Sequence, residues 1–85
     1  LSFVIIVVDA DLQFIVEFVR EETAACKVER VKVQMLQLAQ RLEEEIRVLR
    51  EDLKLVKQDP HLYNKVFDGI IKVLEDNTSF LKLGH

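Results

Sequence analysis

At 85 residues, 49% hydrophobic and 32% charged, the chain has the composition of one packed helical domain rather than of a disordered segment. Two glycines and one proline are too few for a turn-rich all-β fold, and a single cysteine excludes an intrachain disulfide framework or a multi-cysteine zinc site. The net charge is −3 with acids and bases interleaved, so no basic footprint for nucleic acid stands out.

A chain of this length buries only about 60–65% of the surface its unfolded form exposes, and so gains from a partner. The lone Cys26 reads as a small buried hydrophobe on a helix and is compatible with a reducing compartment.

The first nineteen residues are strongly apolar, but Asp9, Asp11 and Glu17 interrupt them, so no membrane span is expected. No basic stretch precedes the run, and no signal peptide is expected either. Three readings compete for this segment: a strand with the aspartates at its carboxyl end, a β-hairpin, and a helix. Ser2–Val8 is rich in β-branched residues, and Asp9-Ala10-Asp11 could turn a short β-hairpin. As a helix, Asp9 would be its N-cap, Asp11 would lie in its first turn, and Leu12, Ile15, Val16 and Val19 would form its inner face. The helix is preferred, with Leu1–Val8 as a buried extended or helical lead-in.

No glycine or proline occurs before Pro60. Within that stretch Val28, Val31, Met35, Leu38, Leu42, Ile46, Leu49, Leu53 and Val56 recur at spacings of three and four, which keeps them on one side of a helix. The spacing predicts one long helix over residues ~23–58. Val33, Leu36, Ala39, Val48 and Leu55 widen the stripe beyond a two-stranded seam, so it needs two neighbours, as in a bundle. Glu43, Glu44 and Glu45 point about 100° apart in succession and cannot converge on one metal ion.

Asp59-Pro60 is a helix-start signal, an N-cap followed by a favoured first helical residue. It predicts an antiparallel helix over ~60–76, closed by Glu75-Asp76-Asn77-Thr78 with Asn77 left-handed, after which Phe80, Leu81 and Leu83 fold back as a tail. Gly69, in mid-helix, marks the close approach of a neighbouring helix. Tyr63 and the five phenylalanines lie at apolar-face positions and read as core.

The string Asp9-Ala10-Asp11-Leu12-Gln13 after an apolar run looks like the strand-end Asp-x-Asp motif of family-2-type glycosyltransferases, which implies aspartates holding a metal and a nucleotide-sugar diphosphate. The βαβ half that this fold requires upstream has no counterpart in these residues. Residues 59–71, reading DPHLYNKVFDGII, are similar to the last helix of AroQ-type chorismate mutases, and residues 41–58 can be laid on that family's middle helix. That resemblance implies a small all-helical isomerase whose pocket would be faced by Arg30, Lys32 and Arg41. The family's further cationic positions and its last-helix glutamine are missing: the last-helix positions fall on Leu74 and Thr78 or Ser79.

Elsewhere the sequence offers no catalytic pattern. Ser2, Thr23, Thr78 and Ser79 have no histidine at motif spacing, His61 and His85 sit at a helix start and at the C-terminus, and no Gly-rich phosphate loop occurs. The expectation is a single mainly α domain: a helical bundle of a long helix (~23–58), an antiparallel helix (~60–76) and an N-terminal helix or short β-hairpin (1–22). Its expected function is non-catalytic oligomerisation or protein–protein interaction, as a homodimer or with another helical protein. The expected working surface is Met35, Leu38, Leu42, Ile46, Leu49 and Leu53, together with the apolar N-terminus. No cofactor or metal is implied, and a designed helical bundle would carry the same pattern.

Overall fold

The computed structural model describes residues 2–83; Leu1, Gly84 and His85, and the expectations that fall on them, lie outside the described residues. The fold is mainly α, with three helices: α1 (Ser2–Ala25), α2 (Glu29–Leu55) and α3 (Leu62–Leu83). No strand occurs among the described residues, so the β-hairpin alternative for the N-terminus is not what forms.

Both outer helices run antiparallel to α2. Arg50 reaches Asp9 while Arg20 reaches Glu43, and Lys65 lies beside Asp52 while Lys72 lies beside Glu45. The backbones of α1 and α3 each pack on α2 far more than on one another. The result is a rod of 45 × 19 × 17 Å.

The boundary between the N-terminal segment, expected at 1–22, and the long helix, expected at ~23–58, falls a few residues later, and the long helix ends at Leu55. Helix α1 ends at Ala25, residues 26–28 link it to α2, and Val28 is extended (φ −88°, ψ 107°) with its carbonyl accepting the N–H of Lys32. No glycine or proline makes this break; packing does. An unbroken helix would leave Leu12, Val16 and Val19 in water. Folding back buries each of them against α2, at about 1.5–3 kcal/mol per side chain. The few helical hydrogen bonds forfeited at the link are worth only about 1 kcal/mol each, because water replaces them.

Cys26 therefore lies in the link rather than on a helix, half-buried, with its thiol 3.6 Å from the Val28 carbonyl. The helix also starts well before Asp9. Asp9 is in the middle of α1, not at its N-cap, and its carboxylate pairs with Arg50. The β-branched run is helical because Ile5 and Val8, three residues apart, reach the core from one face. The expectation that the whole lead-in is buried fails, since Phe3, Val4, Ile6 and Val7 are all exposed.

The core is one cluster drawn from all three helices. From α1 it takes Leu12, Val16 and Val19, from α2 the residues Met35 to Leu53 on its inner stripe, and from α3 Val66, Val73 and Phe80. Of the residues thought to widen the α2 stripe, only Ala39 is buried; Val33, Leu36, Val48 and Leu55 face solvent. Thr23, the one buried polar side chain of this region, donates its hydroxyl to the Val19 carbonyl at 2.7 Å.

The turn into α3 follows the sequence closely. The Asp59 carboxylate accepts the His61 N–H at 3.1 Å, and the Asp59 carbonyl accepts that of Leu62 at 3.0 Å. At the other end α3 does not stop at 76. It runs through Asn77, which is not left-handed, to Leu83. Phe80, expected in a folded-back tail, is a core residue at 1% exposure. Gly69 does mark a close approach: a Cβ built there would lie 3.0 Å from Leu49 Cδ1.

Candidate interaction surface

Five of the six residues expected to form a working surface are buried inside the chain's own core. Met35, Leu42, Ile46, Leu49 and Leu53 are buried, and Leu38 is half-buried against them. Helices α1 and α3 are the two neighbours this wide stripe requires. Sequence periodicity finds such a stripe but does not say whose helices cover it.

Apolar surface is instead displayed in two other places. On α1, the side chains turned away from α2 include Phe3 (76% exposed), Ile6, Val7 and Phe14 (71% exposed). Positions 3, 7, 10 and 14 step by four, three and four, a narrow stripe on the outer side of α1. On α3, Tyr63, Phe67, Ile71, Leu74 and Leu81 are exposed. The expectation that the aromatic residues are all core holds for Phe80 and in part for Phe18, and fails for Phe3, Phe14, Phe67 and Tyr63.

Between α1 and α3 these surfaces meet along an apolar groove. One stretch of it, about 190 Å³, runs between Val4 and Val8 on one wall and Tyr63 and Phe67 on the other. The next, about 160 Å³, lies between Ile15 and Leu74, with Asp11 at its edge. The periodicity of α1 and α3 contains this surface, but a shorter α1, begun at Asp9, places the same residues in the core.

The α1–α2 side is polar. A shallow concavity of about 610 Å³ includes Arg20, Arg47, Arg50 and Lys54. Three of these cations already hold carboxylates: Arg20 with Glu43 at 2.5 Å, Arg47 with Glu44 at 2.6 Å and Glu51 at 3.1 Å, and Arg50 with Asp9 at 2.7 and 3.0 Å. Arg50 also donates to Gln13 at 2.7 Å. The Arg50 guanidinium holds the Asp9 carboxyl below its ordinary value, and Arg47 does the same for Glu44. An incoming anion would have to displace these partners. Arg30 and Arg41 are exposed and Lys32 is half-buried; none of them lines this concavity.

The three consecutive glutamates diverge as their spacing requires. Glu43 turns to Arg20 on α1, Glu44 to Arg47 on its own helix, and Glu45 inward toward α3. Glu45 is 12% exposed, with Lys72 Nζ at 3.7 Å. Both its carboxylate oxygens, together with Asp76 Oδ2 and Asn77 Oδ1, are shut off from solvent without a hydrogen-bond donor. Burial, and then the adjacent Asp76 carboxyl, push Glu45 up to about 7, while Lys72 and Arg41 pull weakly the other way. Two facing carboxylates with only acceptor atoms are best served by one shared proton.

Asp9 and Asp11 do not form a metal pair, since Asp9 is spent on Arg50 and Asp11 edges the α1–α3 groove. No group of three His, Cys, Asp or Glu side chains among the described residues could hold a metal ion. No described helix is long and apolar enough to cross a membrane. Compared with known proteins, the chain matches no family model, no curated protein and no solved structure.

Proposed function

We propose that this chain is a non-catalytic helical interaction module that self-associates. The observation that carries this reading is the double-sided character of α1. It places Leu12, Val16 and Val19 on α2, and it also presents Phe3, Ile6, Val7 and Phe14 on the opposite side. A helix packed on one neighbour ordinarily shows water a polar face, and one that is apolar on both sides belongs between two partners. The groove between α1 and α3 adds to the same surface.

The buried stripe of Met35, Leu38, Leu42, Ile46, Leu49 and Leu53 would meet a partner only after α1 or α3 had moved aside. First contact is therefore assigned to the outer residues of α1 and α3. The ion-paired state of Arg20, Arg47 and Arg50 favours this reading over a pocket for an anionic substrate.

The test is molar mass by light scattering over a hundredfold concentration range, with circular dichroism on the same samples. The expected outcome is a highly helical species whose mass rises from one chain to two. A helical monomer throughout the range would sink the self-association reading.

A further inference from the structure

The outer stripe of α1 reads the same in both directions. Phe3, Val7, Ala10 and Phe14 are large, small, small and large, at spacings of four, three and four about a midpoint between residues 8 and 9. A two-fold interface requires such self-complementarity, because each residue that meets a second position must be met by it in return.

Building on the self-association reading, we infer that the partner is a second copy of this chain, joined through antiparallel pairing of α1 with α1. In that pairing Phe3 lies opposite Phe14 of the second copy and Val7 opposite its Ala10, so two aromatic layers flank two layers small enough for close helix approach.

Three observations favour this occupant and this direction. The first is area: Phe3, Ile6, Val7 and Phe14 expose on the order of 500 Å² per copy, or roughly 1,000 Å² for a pair, about the least that a specific interface needs. The second is charge. The four seam positions are all apolar; of the two nearby aspartates, Asp9 is paired with Arg50 and Asp11 lies off the seam, at the edge of the α1–α3 groove.

The third is the continuation of the stripe toward the C-terminal end of α1, where the next seam positions are Glu17 and Glu21. A parallel pair would set Glu17 against Glu17 and Glu21 against Glu21, like charges in direct opposition. The antiparallel pair ends the seam before either glutamate meets its equivalent, and it opposes the two helix dipoles.

The experiment combines mass and distance. Light scattering is run on the unaltered chain, on Phe14→Glu and on Phe67→Glu; both side chains are exposed, so both variants keep the fold, checked by circular dichroism. A nitroxide is placed by Glu22→Cys, an exposed position of α1 off the seam, in a chain also carrying Cys26→Ser, so that Glu17 and Glu21 are kept. Pulsed electron resonance then reads the label separation.

The pairing predicts a dimer that Phe14→Glu weakens at least about 100-fold, because each copy would bury a charge against an aromatic ring. It also predicts that Phe67→Glu leaves the dimer within about threefold, well under 1.4 kcal/mol. Labels should lie roughly 40–45 Å apart, from 1.5 Å per residue along two helices about 10 Å apart. A dimer with labels at about 10–15 Å, or one lost in Phe67→Glu and kept in Phe14→Glu, overturns the antiparallel seam while the self-association reading stands. A monomer at every concentration overturns both.

Discussion

At the residue scale, the half-buried pair of Glu45 and Asp76 makes stability depend on pH in a direction opposite to most surface carboxylates. Glu45 is pushed up to about 7 in the fold from an ordinary 4.5. The folded chain therefore holds this proton more tightly than the unfolded chain. The associated stability is fully present below pH 4.5 and is lost as pH rises through about 7. Its ceiling is about 3 kcal/mol, since each pH unit between the unfolded and folded values contributes about 1.36 kcal/mol. Glu45→Gln keeps the shape, supplies an amide donor to Asp76 and removes the titration. The expected outcome is a gain of about 1–2 kcal/mol at pH 8 and a flatter melting temperature between about pH 5 and 8. Thermal melts at the two pH values check this, and a variant as pH-sensitive as the original would show that another group is responsible. Asp9 works the opposite way. Its carboxyl is held low by Arg50, so its small contribution is present above its unfolded value and fades as acid protonates it.

At the element scale, α3 is set by two side chains. Gly69 lets the helix sit against Leu49, and Phe80 anchors its last turns. Alanine at position 69 would gain about 1 kcal/mol in helix propensity, but its Cβ would press on the buried Leu49 Cδ1 at 3.0 Å. Gly69→Ala is expected to come out within about 0.5 kcal/mol of neutral, and Gly69→Val to cost about 2 kcal/mol because the extra methyls have no room. Denaturant unfolding measures both; a Gly69→Val chain as stable as the original would mean that Leu49 moves aside freely. Phe80→Ala should cost about 3–5 kcal/mol, whereas an unstructured tail would lose almost nothing.

The same residues show what is legible in the sequence. The α2 stripe, the Asp59 turn and the Gly69 approach are local patterns and can be read directly. The end of α3 cannot, because Asp76 and Asn77 resemble a cap but are drawn into the α2 interface, and the Thr78 hydroxyl bonds back to the Leu74 carbonyl at 2.9 Å. The position of the break, at residues 26–28 rather than at 22–23, is not legible either. No residue there compels it, and only the burial of α1 decides it. The outer surface of α1 and α3 stays hidden for the same reason, since a long apolar segment reads as core until its two sides are separated.

At the scale of the whole molecule, two short links join helices that meet their neighbours in sequence order. Contacts so close along the chain favour rapid folding, and the fold has few ways to be threaded wrongly. It has one serious alternative, however. Because α1 is apolar on two sides over its first half, it could roll about its axis and lay Phe3, Val7 and Phe14 on α2 in place of Leu12, Val16 and Val19, a roll that would also turn Glu17 and Glu21 inward. What tells the two rolls apart is polar: only one of them brings Asp9 and Gln13 to Arg50, and Arg20 to Glu43. Half-exposed ion pairs of this kind are worth about 1 kcal/mol or less as cement. As an address, the same pairs choose which side of α1 faces inward and so which side the molecule offers to its surroundings.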